Sequence, residues 1–154
     1  MRKEDPELAG EAKAIRIGLR QQVFGAYERG RLVRWGPVSS EAKKMPTPSG
    51  EYWLNWRAKR HVSTSNSKWI LDWYFNFENC EGRALHAYEM PGEPASHICV
   101  RLLARDAKWI YEWGESWELA ESARSIAKKR TPVWIDGVYH FASPPPWRLE
   151  LRVQ

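Results

Sequence analysis

Hydrophobic and polar positions alternate along much of this chain with the period of two that half-buried strands show, and a helical period begins only after residue 101. Ile15-Arg16-Ile17 alternates, and Val23-Phe24-Gly25-Ala26-Tyr27 is apolar and aromatic. Arg29-Gly30 separates that run from Leu32-Val33-Arg34-Trp35, which predicts a hairpin turn. Pro46-Thr47-Pro48-Ser49-Gly50 is a turn-rich loop that cannot continue a ladder. Residues 51–56 read as a strand, 57–66 as a polar loop, and 68–77 as one or two core strands. A short strand over 83–88 carries His86, and Met90-Pro91-Gly92-Glu93-Pro94 loops the chain round to Ser96. Leu103, Ala107, Ile110 and Gly114 then recur at helical spacing, as do Trp109, Trp113 and Trp117. Gly114 is a candidate C-cap, and a second helix is predicted over 116–129 with Leu119, Ala123, Ile126 and Ala127 on its apolar face. Asp136-Gly137 between two apolar runs predicts a closing hairpin. The sum is a mainly β (α+β) domain with two adjacent helices.

Length and composition narrow the picture. At 154 residues the chain is read as one domain, 13–143, with a charged tail over 1–12 and a stiff, proline-rich extension over 144–154. A net charge of +5 and a pI of about 9.3 suit a polyanionic partner: nucleic acid, anionic lipid or anionic wall polymer. No apolar run approaches the ~20 residues that cross a bilayer. The N-terminus lacks the apolar core of a secretory signal, so the protein is either cytosolic or has lost an export signal. Two cysteines, Cys80 and Cys99, do not make a disulfide framework, although one bridge between them fits an oxidising compartment.

The chemistry concentrates in Ser96-His97-Ile98-Cys99-Val100-Arg101, with His86 upstream. A thiol is mostly protonated at neutral pH, and a neighbouring imidazole can take its proton. His97 and Cys99 are two apart and emerge on one face of an extended chain. The loop of prolines and glycine can bring His86 beside them, with backbone N–H groups around Ile98 and Cys99 placed for an oxyanion. Three readings stay open on these residues alone: an acyl-transfer site, a structural cysteine near two satisfied histidines, and a zinc site of His86, His97 and Cys99 with His61 or His140. No CxxC or HExxH accompanies them.

His86-Ala87-Tyr88 followed by Pro91-Gly92-Glu93-Pro94-Ala95-Ser96-His97-Ile98-Cys99-Val100-Arg101 resembles the signature of the L,D-transpeptidases, the YkuD-domain family. That signature is a histidine, a spacer, then Ser/Thr-His-Gly-Cys and an Arg or Asn two residues on. Thr47-Pro48-Ser49-Gly50 is similar to the family's TPxG turn, and Thr131-Pro132-Val133 to the start of its closing strand. The resemblance covers about residues 14–136. It implies a β-sandwich of mixed sheets with two helices after the cysteine, and it implies no cofactor. Cys99 looks like the nucleophile and His86 like its base, oriented by nearby backbone. His97 and Ser96 resemble the residues framing the catalytic loop, and Arg101 the basic residue that fixes this loop or meets a substrate carboxylate. Tyr88 and one or two of the strand tryptophans Trp53, Trp56, Trp69 and Trp73 are expected to border the cleft.

The implied reaction is attack of Cys99 on the carbonyl of an L-centre in a peptidoglycan stem peptide, then transfer of the acyl group to an amine. With water as acceptor, the same site is a carboxypeptidase or endopeptidase. A carbapenem adduct on Cys99, a monomer, and a periplasmic or envelope location outside the cytoplasm also follow from the resemblance. One position departs from the family: Ile98 stands where glycine is usual, and the spacer from His86 is short. A β-branched residue tolerates neither positive φ nor close substrate approach as glycine does, so a narrower entrance is expected. A non-catalytic wall-binding domain is the reading if Ile98 blocks the site. Nucleic-acid binding, which the charge alone allows, lacks any recognisable RNA or single-strand motif.

Overall fold

The computed structural model describes residues 1–44, 46–64, 66–121 and 125–143. β1 (Ala14–Gly18), β2 (Val23–Glu28) and β3 (Arg31–Ser39) form the antiparallel meander that the alternation predicts. Arg29 and Gly30 turn the chain with φ of 48° and 77°, the left-handed geometry that matches strand twist in a tight hairpin. Then come β4 (Gly50–Trp53), β5 (Arg57–Val62), β6 (Ile70–Glu78), β7 (Arg83–Ala87), β8 (Val100–Leu102), the α-helix α1 (Ala104–Trp113), β9 (Glu118–Leu119), β10 (Ile126–Lys128) and β11 (Pro132–Asp136).

Nine strands make one mixed sheet in the order β4-β11-β1-β2-β3-β8-β7-β6-β5, and β9 pairs with β10 apart from it. Among the described strands, β1/β11 and β7/β8 are the parallel pairs. The sheet curls until β4, at one end, reaches β6, the strand next to the other: Tyr52 and Phe77 touch edge to face at 5.4 Å. The expected sandwich of separate sheets is therefore one curled sheet. Its enclosed face buries Ile15, Ile17, Phe24, Phe75, Leu85, Val100, Leu102 and Ile135, and α1 closes over them with Ala107 and Ile110. Trp109 and Trp113 stack at 5.0 Å along α1, and Arg34 and Lys13 lie over their rings, so both are helix–sheet contacts.

Three expectations are corrected. The second helix over 116–129 is absent among the described residues, which form the β9/β10 ribbon; Ala123 lies outside them. Its would-be apolar stripe has no surface to cover, since Leu119 and Ile126 are 54% and 40% exposed, and a short unpacked helix is marginal. Gly114 does end α1, where the backbone turns extended at ψ 155°, and a Cβ there would lie 2.6 Å from Leu54 Cδ1. Residues 57–62 of the expected loop are strand β5, an edge whose charged side chains suit its exposure. No hairpin follows Asp136-Gly137, because β4 and β1 already occupy both edges of β11. Residues 144–154 lie outside the described ones. Within 1–12, Leu8 is fully buried against Ala14 and Tyr27, and Leu32 N–H donates to Lys3 O.

Two features shape the other face of the sheet. A bulge in β6 between Asp72 and Phe75 holds Trp73 at φ 55° and adds a residue, so Leu71 and Tyr74 both face away from the main core while Phe75 and Phe77 enter it. Beside them Arg83 Nε donates to Glu41 Oε1 at 2.7 Å, both residues being buried, and the guanidinium also meets Glu78 and Glu81. Burial pushes the Glu41 carboxyl above its usual range, with Arg83 acting against that rise. Removing one partner of a buried pair strands the other's charge, so Arg83→Ala is expected to lower unfolding stability by about 3 kcal/mol or more. The urea midpoint measures this; a loss below about 1 kcal/mol, the value of an exposed pair, contradicts it.

Candidate active site

Strand parity builds the site. β7 and β8 pair in parallel with Leu85 opposite Val100, His86 opposite Arg101 and Ala87 opposite Leu102. Leu85, Val100 and Leu102 belong to the main core, so the alternate set Ala84, His86, Cys99 and Arg101 faces the other way. A parallel pair needs a crossover, and residues 88–99 provide it, pinned to the chain that leaves β3. Ala95 and Ser96 N–H both donate to Ser40 O, Ala42 N–H donates to Ser96 O, and Gly92 N–H donates to Ser39 Oγ. Ser40 is held in turn by buried Gln22, which exchanges two hydrogen bonds with it, at 2.9 Å each. The hydroxyl of buried Ser96 accepts from Cys99 N–H at 3.2 Å. That amide, expected to face an oxyanion, is thus committed to Ser96 in this state.

His86 is 3% exposed, and its Nδ1 lies 3.0 Å from Ala87 O. A carbonyl only accepts, so Nδ1 carries the proton and Nε2 keeps its lone pair. Burial pushes the imidazole pKa down to about 4, with the Arg101 charge adding to the fall, so the ring is neutral at pH 7. Cys99 is 6% exposed, and burial pushes its thiol up to about 11 against the pull of a backbone hydrogen bond from Ala84. The thiol rests 3.8 Å from Gly82 O. The resting pair is therefore a thiol and a neutral imidazole.

The residues singled out in the sequence, Cys99, His86, His97, Ser96, Ile98, Arg101 and Tyr88, all line one pocket of about 40 Å³. His97 is at its exposed rim, its ring 4.9 Å from that of Trp69. Arg101 lies over the Tyr88 ring at 4.7 Å and donates to Glu89 O. Ile98 is not among the residues with left-handed backbone, so this loop does not use the conformational freedom of a glycine. Its side chain packs against the cluster of Leu71, Tyr74, Ala84 and Cys99 and lines the pocket. Of the strand tryptophans, Trp69 borders this pocket, and Trp56 borders a second cavity that also reaches Cys99. Cys80 is exposed and Cys99 buried, each a free thiol. Among the described residues no group of three His, Cys, Asp or Glu could hold a metal.

Sequence reasoning missed Ser63, Leu71, Tyr74, Asn76 and Gly82, which complete the walls around Cys99. One signal was available for Asn76: a polar residue between Phe75 and Phe77 in a core strand must face away from the core.

The family model described as the L,D-transpeptidase catalytic domain, YkuD, matches residues 12–135. Among solved structures the fold is similar to the L,D-transpeptidase of Stackebrandtia nassauensis, at 22% identity and TM-score 0.68 over 84% of this chain and 58% of that one. It is similar to L,D-transpeptidase 3 of Mycobacterium tuberculosis in complex with a faropenem-derived adduct, at 18% and 0.63 over 83% and 61%. It is also similar to a cysteine-to-serine mutant of the Enterococcus faecium L,D-transpeptidase, at 16% and 0.61 over 82% and 50%. The chain thus spans between a half and about three fifths of the length of these structures. A search of curated proteins finds no match. The fold and the matched segment, which includes His86 and Cys99, lead to one conclusion: this chain belongs to the family of L,D-transpeptidase catalytic domains.

Proposed function

We propose that this domain is a peptidoglycan L,D-transpeptidase in which Cys99 is the nucleophile and His86 its general base. The observation that carries the reading is the placement of a neutral His86, its Nε2 lone pair unblocked by the Nδ1 bond to Ala87, in the same buried pocket as Cys99. His86 Nε2 takes the thiol proton as Sγ attacks the carbonyl carbon at an L-centre of a stem peptide. The C–S bond forms, the amide C–N bond breaks, and the departing amine leaves with the proton held by His86. A second stem then supplies an amine that attacks the thioester, releasing Cys99 as a thiol. Arg101, positive and on the pocket wall, is the group to meet a stem carboxylate, and His97 with Trp69 forms the rim over which the peptide enters. Such a substrate places the working protein in the cell envelope; no helix among the described residues is long and apolar enough to cross a membrane.

Two measurements test this. With purified tetrapeptide stems, the wild-type protein is expected to yield cross-linked product, and Cys99→Ala none. Equal product from both, or none from either, rejects the reading, whereas hydrolysed donor alone from the wild type identifies a carboxypeptidase or endopeptidase. The pH dependence follows from the neutral pair. The competent form has His86 unprotonated, so the acylation rate is expected to stay level from about pH 7.5 down to about pH 5.5, where an ordinary histidine would take up a proton. It then falls as the pH drops through about 4. A loss centred near pH 6.5 would show that His86 is not the base, or that it is not buried in the working enzyme.

A further inference from the structure

Cys99 is held on two sides, and a buried ion pair joins those sides. Its Sγ lies 3.8 Å from Gly82 O, and Ala84 supplies the backbone hydrogen bond that pulls the thiol pKa down. These two groups belong to the peptide units that flank the Arg83 Cα, so the setting of that one residue sets both. On the other side, Cys99 N–H donates to Ser96 Oγ at 3.2 Å. Ser96 forms a parallel bridge with Glu41, and its carbonyl accepts from Ala42 N–H at 2.9 Å. Arg83 Nε donates to Glu41 Oε1 at 2.7 Å and closes a ring that runs from the sulfur through Arg83, Glu41 and Ser96 to the Cys99 amide.

The Glu41 end of this pair is poorly built for stability alone. Glu41 is buried, its Oε2 has no hydrogen-bond partner among the described residues, and burial holds its carboxyl above the usual range. The cost of taking two charges out of water is offset only where the remaining lone pairs are satisfied as well. Nor does Arg83 depend on Glu41 for charge balance, since its two terminal nitrogens donate to Glu78 and Glu81. Those two carboxylates sit on β6 and on the turn into β7, so they tie Arg83 to its own hairpin. Glu41 comes from the chain that leaves β3, and it ties Arg83 to the crossover that carries Ser96.

We infer that Glu41 is a positioning residue for acylation: through Arg83 it holds the Gly82–Ala84 backbone against the Cys99 sulfur, at a fixed separation from Ser96. Glu41 lines neither cavity at Cys99, so it acts through these neighbours and touches no substrate. The inference rests on the transpeptidase reading above and adds to it what sets the sulfur in place. When the thiol proton leaves for His86, Gly82 O loses its donor and Ala84 N–H is the backbone group left on the sulfur. A displacement of about 1 Å at that point costs up to about a hundredfold in rate.

The test is acylation of the full chain by a carbapenem, followed to saturation. The fraction of molecules labelled counts folded protein, and the limiting rate constant reports on each folded molecule. Glu41→Asp keeps the charge and is one methylene too short for Arg83, whereas Glu41→Gln keeps the reach and an oxygen acceptor and loses the charge. Glu41→Asp is expected to lower the limiting rate constant about tenfold, with the half-saturating concentration unchanged. Glu41→Gln is expected to stay within about threefold of the wild type, because Arg83 Nε keeps its acceptor. The reverse order, or an equal change in both, makes charge the agent and overturns the inference. A Glu41→Asp protein with a smaller labelled fraction and the wild-type rate constant shows a folding role alone and overturns it too. Either result leaves the transpeptidase reading standing, whereas a wild-type protein that takes no adduct at Cys99 overturns both.

Discussion

The parallel pairing of β7 with β8 is the constraint on which the rest of this structure depends. Its register sets Leu85, Val100 and Leu102 into the core and, by the same alternation, turns His86, Cys99 and Arg101 to the opposite face. A one-residue slip would turn His86, Cys99 and Arg101 into the core and expose the apolar residues. Parallel neighbours cannot be joined by a tight turn, so the twelve-residue crossover over 88–99 is itself part of the device. Its anchor is the carbonyl of Ser40, which accepts from Ala95 and Ser96 and is placed by the buried amide of Gln22. Residues some sixty to eighty positions apart in the chain thus fix the position of one sulfur atom.

Burial then decides the chemistry. The same packing that orders His86 and Cys99 removes them from water, which disfavours an imidazolium and a thiolate alike. The resting site stores no charge pair. With Nδ1 bonded to Ala87 O, Nε2 is the nitrogen that keeps its lone pair. The neighbouring charges are sorted by side: Arg101 on one side of Cys99, the surplus of carboxylates around Arg83 on the other.

How much of this was legible in the sequence follows from which rules act locally. The Arg29-Gly30 turn, the strands either side of it, the α1 repeat and the Gly114 stop are local events, and each stands where the pattern places it. The residues named in the sequence share one pocket because a motif of near neighbours carries most of them, with His86 and Tyr88 brought from an upstream segment. What failed was set by distant partners. Asp136-Gly137 is a good hairpin turn, but β11 has no free edge to pair with a following strand. The 116–129 segment has a helical stripe, but no surface lies opposite Leu119 or Ile126. β5 reads as polar because it is an edge strand, and the bulge at Trp73, which moves Leu71 to the site face, leaves no mark in a pattern read two residues at a time. Ile98 is the instructive intermediate: its departure from the family signature is plain in sequence, but only the backbone shows that the loop does without a left-handed residue there.

The central claim is that Cys99 becomes the acyl carrier, and the most direct measurement is the mass of the intact protein after incubation with a carbapenem, followed by peptide mapping. The expected result is a single covalent adduct on the peptide containing Cys99, lost in Cys99→Ala. An unmodified protein, or an adduct on the exposed Cys80 instead, would contradict it.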